Sequence, residues 1–258
     1  YAWGLASVPL LPGPVADRTL ELGPRVAATF ALGRQTTARF ALGKLSQPTF
    51  LHNLDLIRIK LPLGRARQAE EIVGGVDILV RGWPARIETY WRRERGFVVS
   101  YQDLVLGREI APITARGRSR GLEVALRTPG WTACDAWASY SFSSATWNLA
   151  GQTVPRDFDE PHAVTASLNL RPYRALNLNA TARYHTGDPY TSEHWESPDG
   201  GTYWSRVSGP TLAARYPAYF RLDFRATYAL GRRPNAGSVF LELVNVTGHH
   251  NVYVYSWR

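Results

Sequence analysis

The chain holds a single cysteine, Cys134, and no methionine among its 258 residues. One thiol cannot close an internal disulfide, so no disulfide framework exists and the redox compartment stays open. The sequence begins at Tyr1 with no signal-peptide pattern, and it reads as a processed or partial chain. Nowhere does it run through roughly 18 consecutive apolar residues, which excludes a transmembrane helix. A soluble protein or a membrane barrel remains, because lipid tolerates only helices and closed sheets. Blocks of basic charge are missing too. The net charge is +9, but the 30 Lys and Arg are spread along the chain, which weakens a nucleic-acid reading and leaves anionic surfaces and anionic substrates.

What is present is a folded composition, 45% hydrophobic and 20% charged, which sets disorder aside. With 9 Trp, 13 Tyr and 9 Phe, the chain is rich in side chains suited to an interface with one apolar and one wet side. Alternation with period two dominates. In residues 175–185, Leu176, Leu178, Ala180, Ala182 and Tyr184 alternate with Asn177, Asn179, Thr181, Arg183 and His185. A strand sends these two sets to opposite faces. Residues 220–230 repeat the design, with Phe220, Leu222, Phe224, Ala226 and Tyr228 against Arg221, Asp223, Arg225 and Thr227. Residues 164–170, 122–127 and 72–80 follow suit; 66–73 has some helical character, but Gly74-Gly75 would end a helix and the apolar run beyond favours a strand.

The connections fall into two kinds that alternate. Short turns are expected at 33–35, 82–84, 128–132, 171–174 and 231–237, and long polar loops at about 46–66, 97–113, 147–160 and 186–217. Short turns at one end and long loops at the other mark an outer-membrane barrel. About eleven strands of roughly ten residues each fit, the length a tilted membrane strand needs. Arg39, Glu71, Asp77, Arg86, Glu88, Glu123, Arg127, Arg183, Arg221, Asp223, Arg225 and Glu242 lie on the polar faces with mixed sign. A wet lumen accommodates such a network, whereas lipid charges about 2–4 kcal/mol for each midplane Arg or Lys. Trp83, Tyr90, Trp91, Trp137, Tyr173, Tyr184, Tyr219 and Tyr228, near strand ends, are expected to form aromatic girdles. The reading is all-β: a transmembrane antiparallel up-and-down barrel, present in part.

Several segments resemble one family in order and spacing. In residues 22–50 a Pro24-Arg25 opens a strand, and the next strand ends in Gly43-Lys44-Leu45-Ser46-Gln47-Pro48. Residues 69–91 look like the following hairpin and 118–126 like a Gly-x-Glu strand. Further along come Asp159…His162, Gly187-Asp188-Pro189-Tyr190-Thr191, residues 217–228, and residues 239–251 with Asn245-Val246-Thr247. Together they are similar to the C-terminal half of the barrel of TonB-dependent receptors. That family builds plugged barrels of roughly 22 strands, so residues 1–258 would supply about half. Three departures accompany the resemblance: no plug or TonB-box segment precedes Tyr1, the early strands are missing, and the family's usual last strand does not follow Arg258.

The resemblance implies the outer membrane of a Gram-negative-type bacterium and energy-coupled uptake of a scarce bulky solute: siderophore, cobalamin or glycan. Its partners would be outer-membrane lipid and lipopolysaccharide, a small-molecule ligand such as a metal chelate or glycan, and TonB acting through a plug. A scaffold barrel without transport, a passive porin-like channel and a soluble β-rich binding module are the alternatives. No catalytic constellation is visible, and no enzyme, cofactor or nucleic-acid role is expected. Gly117-Arg118-Ser119-Arg120-Gly121 matches the hydrolase nucleophile elbow, but it runs into a strand where that chemistry needs a strand, turn and helix. Nor does it sit among the aromatic platforms of an RNA-binding fold. His249-His250 has no third metal ligand nearby and reads as a loop pair, and the sequon at Asn245 is better explained by the family element. The ligand-binding candidates are His185 and the loop after it, with Asp188, Tyr190, His194, Trp195, Glu196, Tyr203, Trp204 and Arg206. Aromatics mixed with hydrogen-bonding groups on an external loop suit capture of a bulky solute. The competing reading packs them on one another or against lipopolysaccharide. His52 and Asn53 are weaker candidates of the same kind.

Overall fold

A computed structural model describes residues 21–47, 67–103, 108–130, 133–149, 151–197, 200–201, 203–231 and 237–255, and for 97–103 and 108–114 the backbone alone. His52 and Asn53 lie outside these residues. The described residues form strands and no helix: β1 (Arg25–Gly33), β2 (Thr36–Gln47), β3 (Arg67–Val80), β4 (Trp83–Asp103), β5 (Arg108–Arg127), β6 (Cys134–Leu149), β7 (Gln152–Pro155), β8 (His162–Tyr173), β9 (Leu176–His185), β10 (Pro189–Tyr190), β11 (Glu193–Glu196), β12 (Ser205–Ser208), β13 (Ala214–Arg215), β14 (Tyr219–Ala229) and β15 (Ser238–Leu243). One antiparallel sheet of eleven strands runs β1-β2-β3-β4-β5-β6-β8-β9-β14-β15, with β7 on β6. Sequential neighbours pair throughout, as an up-and-down barrel wall requires. Every pair on this path is antiparallel, so successive connections fall at opposite ends and those after β1, β3, β5, β8 and β14 gather at one end.

Some boundaries differ from the sequence reading. The turn expected at 82–84 is Arg81-Gly82, both at positive φ (53° and 86°), a two-residue type I′ hairpin that matches strand twist and leaves Trp83 and Pro84 in β4. The turn expected at 171–174 shifts to Arg174 and Ala175, because β8 continues through a bulge between Leu170 and Tyr173. The largest correction concerns 97–113. Strands β4 and β5 extend far into it, through Asp103 and from Arg108, paired Phe97 to Ala115 and Gln102 to Glu109. Beyond an apolar band both faces meet water, so alternation fades while backbone pairing continues.

Cross-strand register assigns every side chain to a face. Thr37, Asp77, Arg86, Ala125, Ser139, Thr165, Arg183 and Arg221 stand in one row, and the next face carries Ala38, Val76, Ile87, Val124, Tyr140, Val164, Tyr184 and Phe220. On the polar face charges pair across strands: Arg39 with Asp77 at 3.0 Å, Arg86 with Asp77 at 2.8 Å, Arg127 with Asp135 at 3.3 Å and Arg225 with Glu242 at 3.9 Å. Higher up, Arg92 Nε donates to Glu71 at 2.9 Å, and buried Glu94 takes Arg156, whose guanidinium lies 4.1 Å over the Trp147 ring. Apolar side chains do not gather in a core. Among the described residues only Ala115 and Val154 are buried hydrophobics, while Phe30, Ile72, Ile87, Leu122, Phe142, Leu168 and Leu241 are exposed. In water that surface would be untenable, and in lipid it is the solvated face.

The width of the apolar face fits. Residues 72–80, 83–91, 176–184 and 220–228 each span nine residues from its lower to its upper limit. At about 3.3 Å per residue and a tilt near 40°, such a span covers a little over 20 Å, close to the ~25 Å apolar band of outer-membrane barrels. Trp83, Trp91, Tyr173, Tyr184 and Tyr228 face this side near its borders, as girdle residues should. Tyr90, Trp137 and Tyr219 do not: their pairs are Val73 and Gly121, Arg127 and Ser167, and His185, all on the polar face. Tyr90 and Trp91 are adjacent in a strand and must point oppositely. The Tyr90 ring instead covers Gly121, where an added Cβ would meet it at 2.5 Å.

Candidate functional site

The long connection between β9 and β14 is folded on the end of the sheet that carries the long loops. Its foot is pinned by backbone and hydroxyl bonds, with the Thr186 amide donating to the His162 carbonyl at 2.9 Å and the His162 amide donating to Thr186 Oγ1 at 3.0 Å. Residues 188–190 then return against 214–216 as the β10–β13 pair, with the Tyr216 amide donating to the Asp188 carbonyl at 3.0 Å. Gly187 permits this approach, because a Cβ there would land on the Tyr216 carbonyl. Leu212 turns at φ 52° and donates its amide to Thr191 Oγ1 at 3.0 Å. Above this base β11 and β12 form a hairpin, pairing Trp195 with Arg206 and His194 with Val207.

An electrostatic pin ties the loop to the segment before β8. Asp159, 5% exposed, accepts the Ala145 amide at 2.6 Å on Oδ1 and Arg215 Nη2 at 2.5 Å on Oδ2. The other Arg215 nitrogen donates to the Asp159 carbonyl and, at 3.2 Å, to that of Gly187. Beside it Glu160 Oε1 lies 3.1 Å from His185 Nδ1. Burial raises the Glu160 pKa, the His185 charge opposes the rise, and the Asp188 charge adds to it. His185 stacks on Tyr219 with ring centroids 4.7 Å apart, and Tyr190 stacks on Tyr216 at 4.4 Å, with Tyr255 packed on both.

The nine candidate residues therefore separate into two groups. His185, Asp188 and Tyr190 belong to the packed base, whereas His194, Trp195, Glu196, Tyr203, Trp204 and Arg206 belong to the hairpin and its tip. Trp195, Tyr203 and Trp204 are 49%, 67% and 57% exposed, so aromatic faces are offered to solvent. His194 Nε2 meets Glu196 Oε1 at 2.8 Å and Arg206 meets Glu193 at 3.4 Å, which holds their donors at the surface. This arrangement combines a fixed base with exposed rings and polar groups, which suits binding. Asp159, Glu160, Arg215, Tyr216, Tyr219 and Tyr255 complete the base and were missed in the sequence. Asp159 opens the Asp159…His162 motif, but its partner Arg215 lies 56 residues away. Among the described residues no three His, Cys, Asp or Glu side chains stand together as metal ligands. His249 Nδ1 instead contacts Asn251 Oδ1 at 3.0 Å. The Asn245 element is a turn at φ 54° that ends β15, and the Asn251 side chain takes over the ladder bonds of Phe220 at 2.9 Å each.

No curated protein matches the sequence. Solved structures do resemble it in fold. The FrpB iron transporter from Neisseria meningitidis is 15% identical, with 89% of this chain and 35% of that one covered and a TM-score of 0.61. The ferric-catecholate import receptor Fiu from E. coli K12 is 15% identical over 87% of this chain and 30% of its own, with a TM-score of 0.59. The ferripyoverdine receptor of the Pseudomonas aeruginosa outer membrane is 12% identical, with 88% and 29% covered and a TM-score of 0.59. The chain thus spans about a third of the length of the structures it matches. The family model described as TonB dependent receptor-like, beta-barrel matches residues 74–246, about two thirds of the sequence. With its lipid-facing apolar band, its charged inner wall and this match, the chain belongs to the TonB-dependent receptors and forms part of a Gram-negative outer-membrane barrel.

Proposed function

We propose that residues 1–258 supply the C-terminal portion of a receptor barrel that takes up a scarce bulky solute (a siderophore, cobalamin or a glycan) by an energy-coupled route. TonB would act through a plug domain outside these residues. The chain serves binding and passage, not catalysis. His185, Asp188 and Tyr190 shape the base of the binding loop, and His194, Trp195, Tyr203, Trp204 and Arg206 meet the solute. The observation that carries the reading is the pinned loop itself. A rigid foot, held by Asp159 and Arg215, presents exposed rings and donors on the side where solute arrives. Similar folds named as iron and copper transporters support the reading.

The test compares solute uptake by cells carrying the native protein, with and without TonB and with the proton gradient intact or collapsed. Uptake that stops on loss of either supports energy coupling. Uptake or ion conductance that continues unchanged replaces it with a passive channel, and a protein that neither binds nor passes solute is a scaffold. Trp195→Ala together with Trp204→Ala is expected to weaken solute binding at least tenfold while the barrel still assembles.

A further inference from the structure

Strand β6 changes partners along one edge. It pairs with β7 over residues 146–149 and with β8 over 134–142, so residues 156–161 leave the wall between the two. Both ends of this excursion are tied back to β6. The Arg156 amide donates to the Ala145 carbonyl at 3.0 Å, and the Ser143 amide donates to the Pro161 carbonyl at 3.0 Å. Its charged side chains set the side to which it bends. Arg156 reaches Glu94 and lies over the Trp147 ring, and Glu160 meets His185 at 3.1 Å. All three targets are on the polar, inward face by register: Glu94 and Trp147 both pair with Gly117, and His185 pairs with Ala163 and Tyr219. The excursion is therefore a shelf over the lumen, at the end of the long connections, which in such barrels is external. Gly117 makes room for its anchor, because a Cβ there would run into the Arg156 guanidinium and the Glu94 carboxylate.

Anchoring and exposure part company along the shelf. Glu94 and Asp159 are each 5% exposed, whereas Phe158 is 83% exposed and Asp157 beside it is exposed too. A ring held out into water from a segment so firmly tied is a preorganised contact, since it loses little freedom when a partner covers it. The same ties join the shelf to the loop of residues 186–217, where Asp159 holds Arg215 and Glu160 meets His185. Its spare charge is negative. Glu94 takes Arg156 and Asp159 takes Arg215, while among the described residues Asp157 forms no ion pair and the Asp188 charge acts on Glu160. We propose that Phe158 and Asp157 are the lumen-side contacts of the solute site, the ring against an apolar face of the solute and the carboxylate accepting from its N–H or O–H groups. The solute taken up is uncharged where it meets the shelf, because these carboxylates repel an anionic chelate. Resting on the uptake reading, the shelf adds a second point of contact below the hairpin and fixes the chemistry of what is captured.

Isothermal titration of the full native protein in detergent measures binding of four probes: a neutral ferric trihydroxamate, an anionic ferric tris-catecholate, cyanocobalamin and maltoheptaose. One of the uncharged probes is expected to bind about tenfold or more tighter than the tris-catecholate, and its identity separates chelate, corrin and sugar. For that probe Phe158→Ala should weaken binding about tenfold and Phe158→Tyr by less than about threefold. Tyr173→Ala, which removes an exposed ring at the turn end, should leave binding unchanged. Asp157→Lys should weaken the uncharged probe and tighten the tris-catecholate about tenfold. Heat-modifiable migration confirms that each variant is folded. Preference of the wild type for the anionic chelate, or binding of none of the four, overturns the solute chemistry. Unchanged binding in both Phe158→Ala and Asp157→Lys overturns the shelf as a contact, while TonB-dependent entry of the probe would leave the uptake reading standing. Absence of energy-coupled uptake in the wild type would instead remove the uptake reading itself.

Discussion

The assignment of faces is best tested by placing one charge on either side of the wall. Ile87 is the middle residue of the lipid-facing span 83–91, 47% exposed, between Val76 and Val124. Arginine at such a depth costs about 2–4 kcal/mol in an outer-membrane barrel. At about 1.4 kcal/mol per decade, Ile87→Arg should lower the folding equilibrium in lipid vesicles roughly 30- to 700-fold. Ser141 is on the opposite face, paired with Glu123 and Ala163. A guanidinium there meets a carboxylate and water, so Ser141→Arg should change stability by less than about 1 kcal/mol. The assay is guanidinium titration of the protein in vesicles, followed by tryptophan fluorescence and heat-modifiable migration. Equal cost at both positions, or a greater cost at Ser141, would refute the argument from register, because the charged face would then not line a wet interior.

Three other outcomes follow from the loop. Asp159→Ala removes a buried carboxylate that serves Ala145 and Arg215, a loss of about 2–3 kcal/mol of local stability; protease cleavage within residues 186–217 should accelerate roughly 30- to 150-fold at that cost, and an unchanged rate would show the pin to be idle. Gly187→Ala puts a methyl on the Tyr216 carbonyl, so exchange of the Tyr216 amide should speed up several-fold while exchange in β8 and β9 stays slow. Glu160 has its carboxyl raised in the folded loop, chiefly by burial. Its contribution to loop stability is present in full below the unfolded-state pKa of about 4.3 and is lost as pH rises through the raised value. Loop protection should therefore increase on acidification, and Glu160→Gln should remove that part of the pH dependence.

Much of the wall is legible from alternation, because lipid on one side and water on the other impose period two on every spanning strand. Residues 175–185 and 220–230 sort as the register later confirms, and so do all twelve charges assigned to the polar face. Tyr90, Trp137 and Tyr219 stay out of the girdle because each stands one residue out of step with the lipid-facing set of its strand. Above the band both sides are wet, alternation lapses, and the extensions of β4 and β5 read as loop. The candidate binding loop stands out in the sequence by its aromatics. Its base was not, since Asp159 with Arg215 and Glu160 with His185 meet only through the sheet order.

By itself, then, the sequence determined the strand periodicity, the two classes of connection and the chemistry of each face, since these follow from local spacing and from the solvents each face must meet. The tertiary structure decided which strand end each connection occupies and which charges meet across strands. Those outcomes depend on register between segments distant in the chain, where a shift of one residue would exchange every inward side chain for its outward neighbour.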